Sequence, residues 1–132
     1  MREKPLILIV DDEPNLLEII STKLGESGFE PVVAYNAKEA VDAAGKLHPD
    51  LILMDVHMPE ESGTDAALAI KQNEATKDLH IAFLSNLKDP WPSIMADKKD
   101  VSKEMGMVDF IDKSADLDVI VARVRELLGI KK

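Results

Sequence analysis

The sequence predicts an α/β fold in which a doubly wound, five-stranded parallel sheet carries helices on both faces. Two observations support this prediction. Five short and nearly continuous apolar runs alternate with segments of helical periodicity, which is the pattern of buried parallel strands joined by crossover helices. Proline, glycine and polar residues lie between the runs and divide them into separate strands. Right-handed crossovers then favour the flavodoxin-like strand order 2-1-3-4-5.

The first half of the chain supplies two strands and two helices. Leu6 to Val10 is the first strand, and Pro14 follows in the first turn of a helix, where its missing N–H costs little. Gly28 ends this helix. Pro31 to Ala34 is a short second strand, after which Asn36 is placed to cap a second helix. The two helical stripes consist of Leu16, Leu17, Ile20 and Leu24, then Ala40, Val41, Ala44 and Leu47.

The second half continues the alternation. After a break at residues 48–50, the run from Leu51 to Met54 is the third strand, and Gly63 opens a third helix. Ile81 to Leu84 is the fourth strand, followed by a helix from Ser93 to Met105. Val108 to Ile111 is the fifth strand. The last helix has an apolar face made of Leu117, Ile120, Val121, Val124 and Leu128.

Length and composition limit the classes of protein to consider. The 132 residues, 45% of them apolar, fit one domain with a full core, which we expect to span residues 4–130. The formal net charge of −9 disfavours direct nucleic-acid binding. Cysteine is absent, and the apolar stretches are too short for a signal peptide or membrane insertion. We expect a cytoplasmic protein.

Acidic residues end two strands that the predicted order makes neighbours. Asp11 and Asp12 follow the first strand, and Asp55 follows the third. Their carboxyl ends would meet at the switch point of the sheet. Clustered carboxylates repel one another unless a cation is present, and oxygen ligands suit Mg²⁺. A carboxylate there is also a candidate nucleophile toward phosphorus. The alternative for Asp11 and Asp12 is an acidic first turn, which the helix dipole favours.

Two further polar residues stand at carboxyl strand ends. Ser85 follows the fourth strand and offers a hydroxyl donor, while Lys113 follows the fifth strand and offers a point charge for phosphate. Taken alone, each has a simpler reading. Ser85 would be a strand-end or capping serine, and Lys113 a solvated lysine. Their shared edge with Asp55 favours a phosphate site.

These residues, in this order, are similar to those of the receiver domain of two-component response regulators. The matching features are Asp11-Asp12, the segment 55–59 with Gly63, Ser85, Lys113, and Phe110 three residues before that lysine. The resemblance covers essentially the whole chain. Because only residues 129–132 follow the last helix, we expect a single-domain receiver like the chemotaxis regulators, without an attached output domain; a segment of a longer regulator is the alternative. The resemblance also implies a signalling protein that catalyses only its own phosphoryl transfer and slow self-dephosphorylation.

The resemblance implies a role for each matching residue. Asp55 would accept a phosphoryl group from a histidine kinase or phosphohistidine protein. Asp12, Asp55 and the backbone carbonyl of His57 would bind Mg²⁺ directly, and Asp11 largely through water. Ser85 and Lys113 would contact the phosphoryl group. Switching would involve Ser85 and the rotamer of Phe110, and a downstream protein would read the face formed by helix 4, strand 5 and helix 5.

Three other functions remain open at this point. A phosphorelay intermediate would use the same residues. A binding-only receiver would not be phosphorylated, against which the intact acidic set argues. A Mg²⁺-dependent phosphatase of the haloacid dehalogenase type also forms an aspartyl-phosphate, but that class needs an acid two residues after its nucleophile, where this chain has His57.

The loop after the fourth strand departs from the family pattern. Trp91 stands between Pro90 and Pro92, and it either packs on the predicted fourth helix or is exposed as an anchor for a partner. Asn86 occupies a position where the family usually has alanine or glycine. It either caps the loop or, together with His57, restricts access to the acceptor. The lone His57 ring is expected to face solvent, since no partner ligands accompany it.

If Asn86 restricts access, the aspartyl-phosphate will be long-lived because water reaches it slowly. Asn86→Ala should then shorten the phosphoryl half-life, measured by loss of the adduct in intact-mass spectra after donor removal. An unchanged half-life would remove the hypothesis and leave the loop-capping role.

Overall fold

A five-stranded parallel sheet forms the centre of the fold, as the computed structural model shows for residues 4–55, 63–85, 108–112 and 116–129. The strands pair in the order β2-β1-β3-β4-β5, so the predicted topology is confirmed. The elements are β1 Leu6–Val10, α1 Pro14–Glu26, β2 Glu30–Ala34, α2 Ala37–Leu47, β3 Leu51–Asp55, α3 Gly63–Gln72, β4 Ile81–Ser85, β5 Val108–Asp112 and α4 Leu117–Leu128.

Helices cover both faces of the sheet because its side chains alternate between two hydrophobic cores. In β3, Leu51 and Leu53 join the core beneath α1 and α4, while Ile52 and Met54 join the core beneath α2 and α3. Successive side chains of a strand point to opposite faces. All five residues of β3 are buried, which explains why the sequence shows a continuous apolar run rather than an alternating one.

The ends of the helices follow from single residues. Pro14 occupies the first turn of α1, and Gly28, with φ +97°, turns the chain away after it. The Asn36 side chain accepts a hydrogen bond from the Glu39 N–H at 2.8 Å and caps α2. These three predictions are confirmed. At the other end of α2, His48 adopts a left-handed conformation with φ 47° and ends the helix.

The strand bounds differ from the prediction by one residue in four places. β2 begins at Glu30, and β3, β4 and β5 extend to Asp55, Ser85 and Asp112. In β3, β4 and β5 the apolar run stops one residue before the strand ends because the last side chain is polar. The backbone pairing still includes that residue: Asp55 is opposite Leu84, and Ser85 is opposite Asp112. The predicted helix at 93–105 and Trp91 lie outside the described residues. Within the described residues, the helices are all too short or too polar to cross a membrane.

Truncation of a buried apolar side chain should lower the free energy of unfolding far more than truncation of an exposed one. Leu53 is fully buried in β3, so Leu53→Ala should lower the free energy of unfolding by about 2–5 kcal/mol through lost burial and a residual cavity. Ile19 on α1 is 50% exposed, and Ile19→Ala should change it by less than about 1 kcal/mol. Urea denaturation followed by circular dichroism would measure both. Equal losses would contradict this description of the core.

Candidate metal and phosphoryl site

The carboxylates of Asp11, Asp12 and Asp55 come together at the carboxyl edge of the sheet. β1 and β3 are parallel neighbours, and Val10 lies opposite Met54 in their register. Asp11 and Asp55 therefore follow at the same level. One carboxylate oxygen from each of the three residues lies within 4.8 Å of the others. The sequence prediction that these acids converge is confirmed.

The cluster combines buried and exposed carboxylates. Asp11 is fully buried and Asp55 is 2% exposed, whereas Asp12 is open to solvent. The position of Asp11 is set at two points. Its N–H donates to the Ala34 carbonyl at 3.2 Å, and its Oδ1 accepts from the Glu13 N–H at 2.9 Å. Two buried carboxylates and a nearby third raise the electrostatic energy of the cation-free protein.

The donor set matches the requirements of Mg²⁺. Carboxylate oxygens are hard ligands, and Mg²⁺ is commonly bound through one or two of them while it keeps several waters. The exposed Asp12 leaves one side of the cluster open to solvent, so such waters have room. Among the described residues, the cluster consists of carboxylates alone, which favours a hard cation over a softer metal.

The other predicted site residues fall partly or wholly beyond the described part of the chain. Ser85 is the last residue of β4, next to β3 in the sheet, and Phe110 lies in β5 opposite Phe83. Both therefore belong to strands that end at the edge carrying Asp55, but their side chains are outside the described set. His57, Asn86 and Lys113 lie outside the described residues altogether, so their roles stay predictions.

The sequence prediction missed a contact beside the cluster. The Tyr35 N–H donates to Oε1 of Glu39 at 2.9 Å, immediately after the Ala34 carbonyl that holds Asp11. Glu39 stands three residues after the capping Asn36, which is the spacing of a capping box. That spacing is the signal in the sequence for this contact.

A shallow groove between α1 and the start of α4 is a separate feature. It has a volume of about 330 Å³ and contains none of the predicted site residues. Lys23 and Asp118 form an exposed ion pair of 2.8 Å near it. This hydrogen bond and the opposite charge lower the pKa of Asp118 and raise that of Lys23. The groove is lined by Glu18, Ile19, Thr22, Lys23, Glu26 and Leu117.

The sequence matches the model of a known protein family. The family model for the response regulator receiver domain matches residues 7–125. The chain belongs to the response regulator receiver domain family. The resemblance inferred from its acidic, serine and lysine residues is confirmed at the level of the family. Receiver domains are the phosphoryl-accepting switches of two-component systems, and they are generally signalling domains rather than enzymes.

Individual relatives agree with the family assignment. The phosphate regulon transcriptional regulatory protein PhoB of Pseudomonas aeruginosa is 34% identical over 122 residues, covering 92% of this chain and 51% of that protein. The receiver domain of a signal transduction histidine kinase from Syntrophus aciditrophicus is 32% identical with a TM-score of 0.78, covering 97% of this chain and 93% of that one.

A solved chemotaxis protein shares the fold at lower identity. CheY4 of Vibrio cholerae has a TM-score of 0.80 at 24% identity, over 94% of this chain and 98% of that chain. The chain spans only about a quarter to a half of the length of the curated relatives it matches. The comparison therefore concerns the receiver part of those longer proteins.

The crowding of carboxylates predicts that Asp55 destabilises the cation-free protein. Removing its charge in Asp55→Asn should raise the free energy of unfolding in EDTA by on the order of 1–3 kcal/mol, because one like-charge repulsion is lost. Added Mg²⁺ should stabilise the unmodified protein more than the variant. Urea denaturation with EDTA and with Mg²⁺ would measure both effects.

The matched control is Asp42→Asn, which removes an exposed acid of α2 outside the cluster. It changes net charge equally and should leave both values nearly unchanged. An Asp55→Asn variant no more stable than this control would show that repulsion in the cluster is already balanced.

Proposed function

We propose that the chain is a phosphorylation-controlled switch that accepts a phosphoryl group on Asp55 from a histidine kinase or a phosphohistidine protein, in a Mg²⁺-dependent reaction. The proposal rests above all on one observation, the convergence of three carboxylates within 4.8 Å at the carboxyl edge of the sheet. Membership of the receiver family supports it. The functional unit in this proposal extends over residues 4–130.

The proposed metal site uses Asp12 and Asp55 as direct ligands with the backbone carbonyl of His57, and Asp11 through water. Bound Mg²⁺ would neutralise charge on the phosphoryl oxygens and on the crowded carboxylates. The exposed side of the cluster, at Asp12, supports access for solvent and donor. The buried Asp11, held through its own N–H and Oδ1, supports a role in fixing the geometry rather than in the transfer itself.

The proposed transfer step is an in-line displacement at phosphorus. A carboxylate oxygen of Asp55 forms a bond to phosphorus as the bond from phosphorus to the donor imidazole nitrogen breaks. The donor nitrogen leaves with the electron pair. Ser85 would donate a hydrogen bond to one phosphoryl oxygen, and Lys113 would place its ammonium beside another. The position of Ser85 at the end of β4, adjacent to β3, supports this assignment.

The proposed output is a shift between two arrangements of one face. The phosphoryl group would favour one position of Ser85 and one rotamer of Phe110. The affected face comprises the predicted helix at 93–105, β5 and α4, and a downstream protein would bind there. The net charge of −9 supports a protein partner over direct nucleic-acid contact.

Incubation with acetyl phosphate and Mg²⁺ tests the proposal directly. Intact mass should show one phosphoryl adduct per chain, because the small donor needs no cognate kinase. The adduct should disappear in Asp55→Asn and in EDTA, whereas the control Asp42→Asn should still be labelled. An adduct that persists in Asp55→Asn would contradict the assigned acceptor.

Two further results separate the alternatives. Absence of any adduct, with Mg²⁺ binding intact, would favour a binding-only receiver. Multiple turnovers on p-nitrophenyl phosphate would favour a phosphatase, which the proposed function does not predict.

A further inference from the structure

We infer that Glu39 is a positioning residue for the metal site, acting on Asp11 through the peptide group that joins Ala34 to Tyr35. This inference rests on the proposed Mg²⁺-dependent function and adds a residue that makes no contact with the cation. It concerns how the cluster is held rather than which residues form it.

The contacts form a continuous path from α2 to the cluster. Oε1 of Glu39 accepts from the Tyr35 N–H at 2.9 Å. The carbonyl of the same peptide group, that of Ala34, accepts from the Asp11 N–H at 3.2 Å. Oδ1 of Asp11 accepts in turn from the Glu13 N–H at 2.9 Å. One peptide plane therefore has a carboxylate on its N–H side and Asp11 on its carbonyl side.

Because the peptide group is planar, a hydrogen bond to its N–H also constrains its carbonyl. A peptide group rotates as a rigid unit, so a hydrogen bond that fixes the Tyr35 N–H also fixes the direction of the Ala34 carbonyl. Ala34 is the last residue of β2, opposite Val10, so the Tyr35 N–H lies just past the end of the strand. The Glu39 carboxylate accepts from that N–H and adds a second restraint to the peptide plane whose carbonyl accepts from Asp11.

The charge of Glu39 adds an electrostatic effect. A hydrogen bond to an ionised acceptor is stronger than a neutral one, and it polarises the donor peptide. The carbonyl oxygen of a polarised peptide is a better acceptor, since linked hydrogen bonds strengthen one another. The Ala34 carbonyl should therefore hold the Asp11 N–H more tightly when Glu39 is present.

Glu39 is itself held in place at the start of α2. Its N–H donates to Oδ1 of Asn36 at 2.8 Å, which is the first half of a capping box. Its carboxylate accepts from the Tyr35 N–H, one residue before the N-cap. A capping role alone would stabilise α2 and leave the metal affinity of the folded protein unchanged. The positioning role predicts a change in that affinity, so the two roles are separable by measurement.

The effect of Glu39 on Mg²⁺ affinity should be moderate because Glu39 does not contact a metal ligand directly. Loss of a direct outer partner of a metal ligand typically weakens metal binding by about 10- to 100-fold. Acting one step further out, Glu39→Ala should raise the Mg²⁺ dissociation constant by about three- to tenfold. Glu39→Gln keeps an oxygen acceptor at the same position and should stay within about twofold of the unmodified protein.

The experiment is a Mg²⁺ titration by calorimetry on the full chain, at a temperature where circular dichroism shows every variant to be folded. Glu39→Ala and Glu39→Gln carry the same net charge and differ in the acceptor atom. Asp42→Ala removes another exposed acid of α2 and is the control for long-range attraction of the cation. The amide proton resonance of Asp11 in the Mg²⁺-free protein gives a second readout, which should move upfield in Glu39→Ala as its hydrogen bond weakens.

The outcomes separate this inference from the proposed function. No Mg²⁺ binding by the unmodified protein would overturn the proposed metal site. Equal affinity of the unmodified protein and Glu39→Ala, with an unmoved Asp11 resonance, would overturn only the role of Glu39. Equal weakening in Glu39→Gln and Glu39→Ala would overturn the acceptor geometry. If Glu39→Ala does not fold, Glu39→Asp replaces it, because its shorter side chain withdraws the oxygen while keeping the charge.

Discussion

The position of the acidic cluster depends on the parallel register between β1 and β3. With Val10 opposite Met54, the residues that follow them in the chain, Asp11 and Asp55, lie at one level. A slip of one residue would exchange the faces of every side chain in the moving strand. Both faces of this sheet are covered by apolar cores, so such a slip would place side chains selected for one core into the other. The packing of the core therefore determines the geometry of the polar site.

The same arrangement is electrostatically unfavourable for two reasons. Burial of Asp11 and Asp55 raises the energy of their charged forms, and their proximity adds repulsion. A bound cation would offset both effects, because it supplies the opposite charge that the crowded carboxylates lack in its absence. The two apolar cores stabilise the fold that brings these carboxylates together. Helix α2 takes part at a distance, because its first turn holds the peptide that holds Asp11.

The sequence predicted the strand order and the convergence of the acids because both follow from patterns that burial imposes on the chain. It placed the ends of β3 and β4 one residue short, since a polar side chain at a strand end ends the apolar run but not the backbone pairing. The contact from Glu39 to the Tyr35 N–H was missed because the spacing of Asn36 and Glu39 indicates a capping box but does not show that the carboxylate accepts from the residue before the N-cap. The roles of Ser85, Phe110, Lys113, His57 and Asn86 remain predictions, as they depend on side chains beyond the described set.

The burial of β3 on both sides limits which substitutions this protein can accept during evolution. A strand with one solvated face can exchange half of its residues freely, whereas Leu51 to Met54 have no such face. Drift in this segment is confined to apolar exchanges of similar volume, and each must suit one core without disturbing the other. Divergence must instead accumulate on the outer surfaces of the helices. New partners can thus be acquired by changing those surfaces, while the strand that delivers Asp55 stays nearly constant.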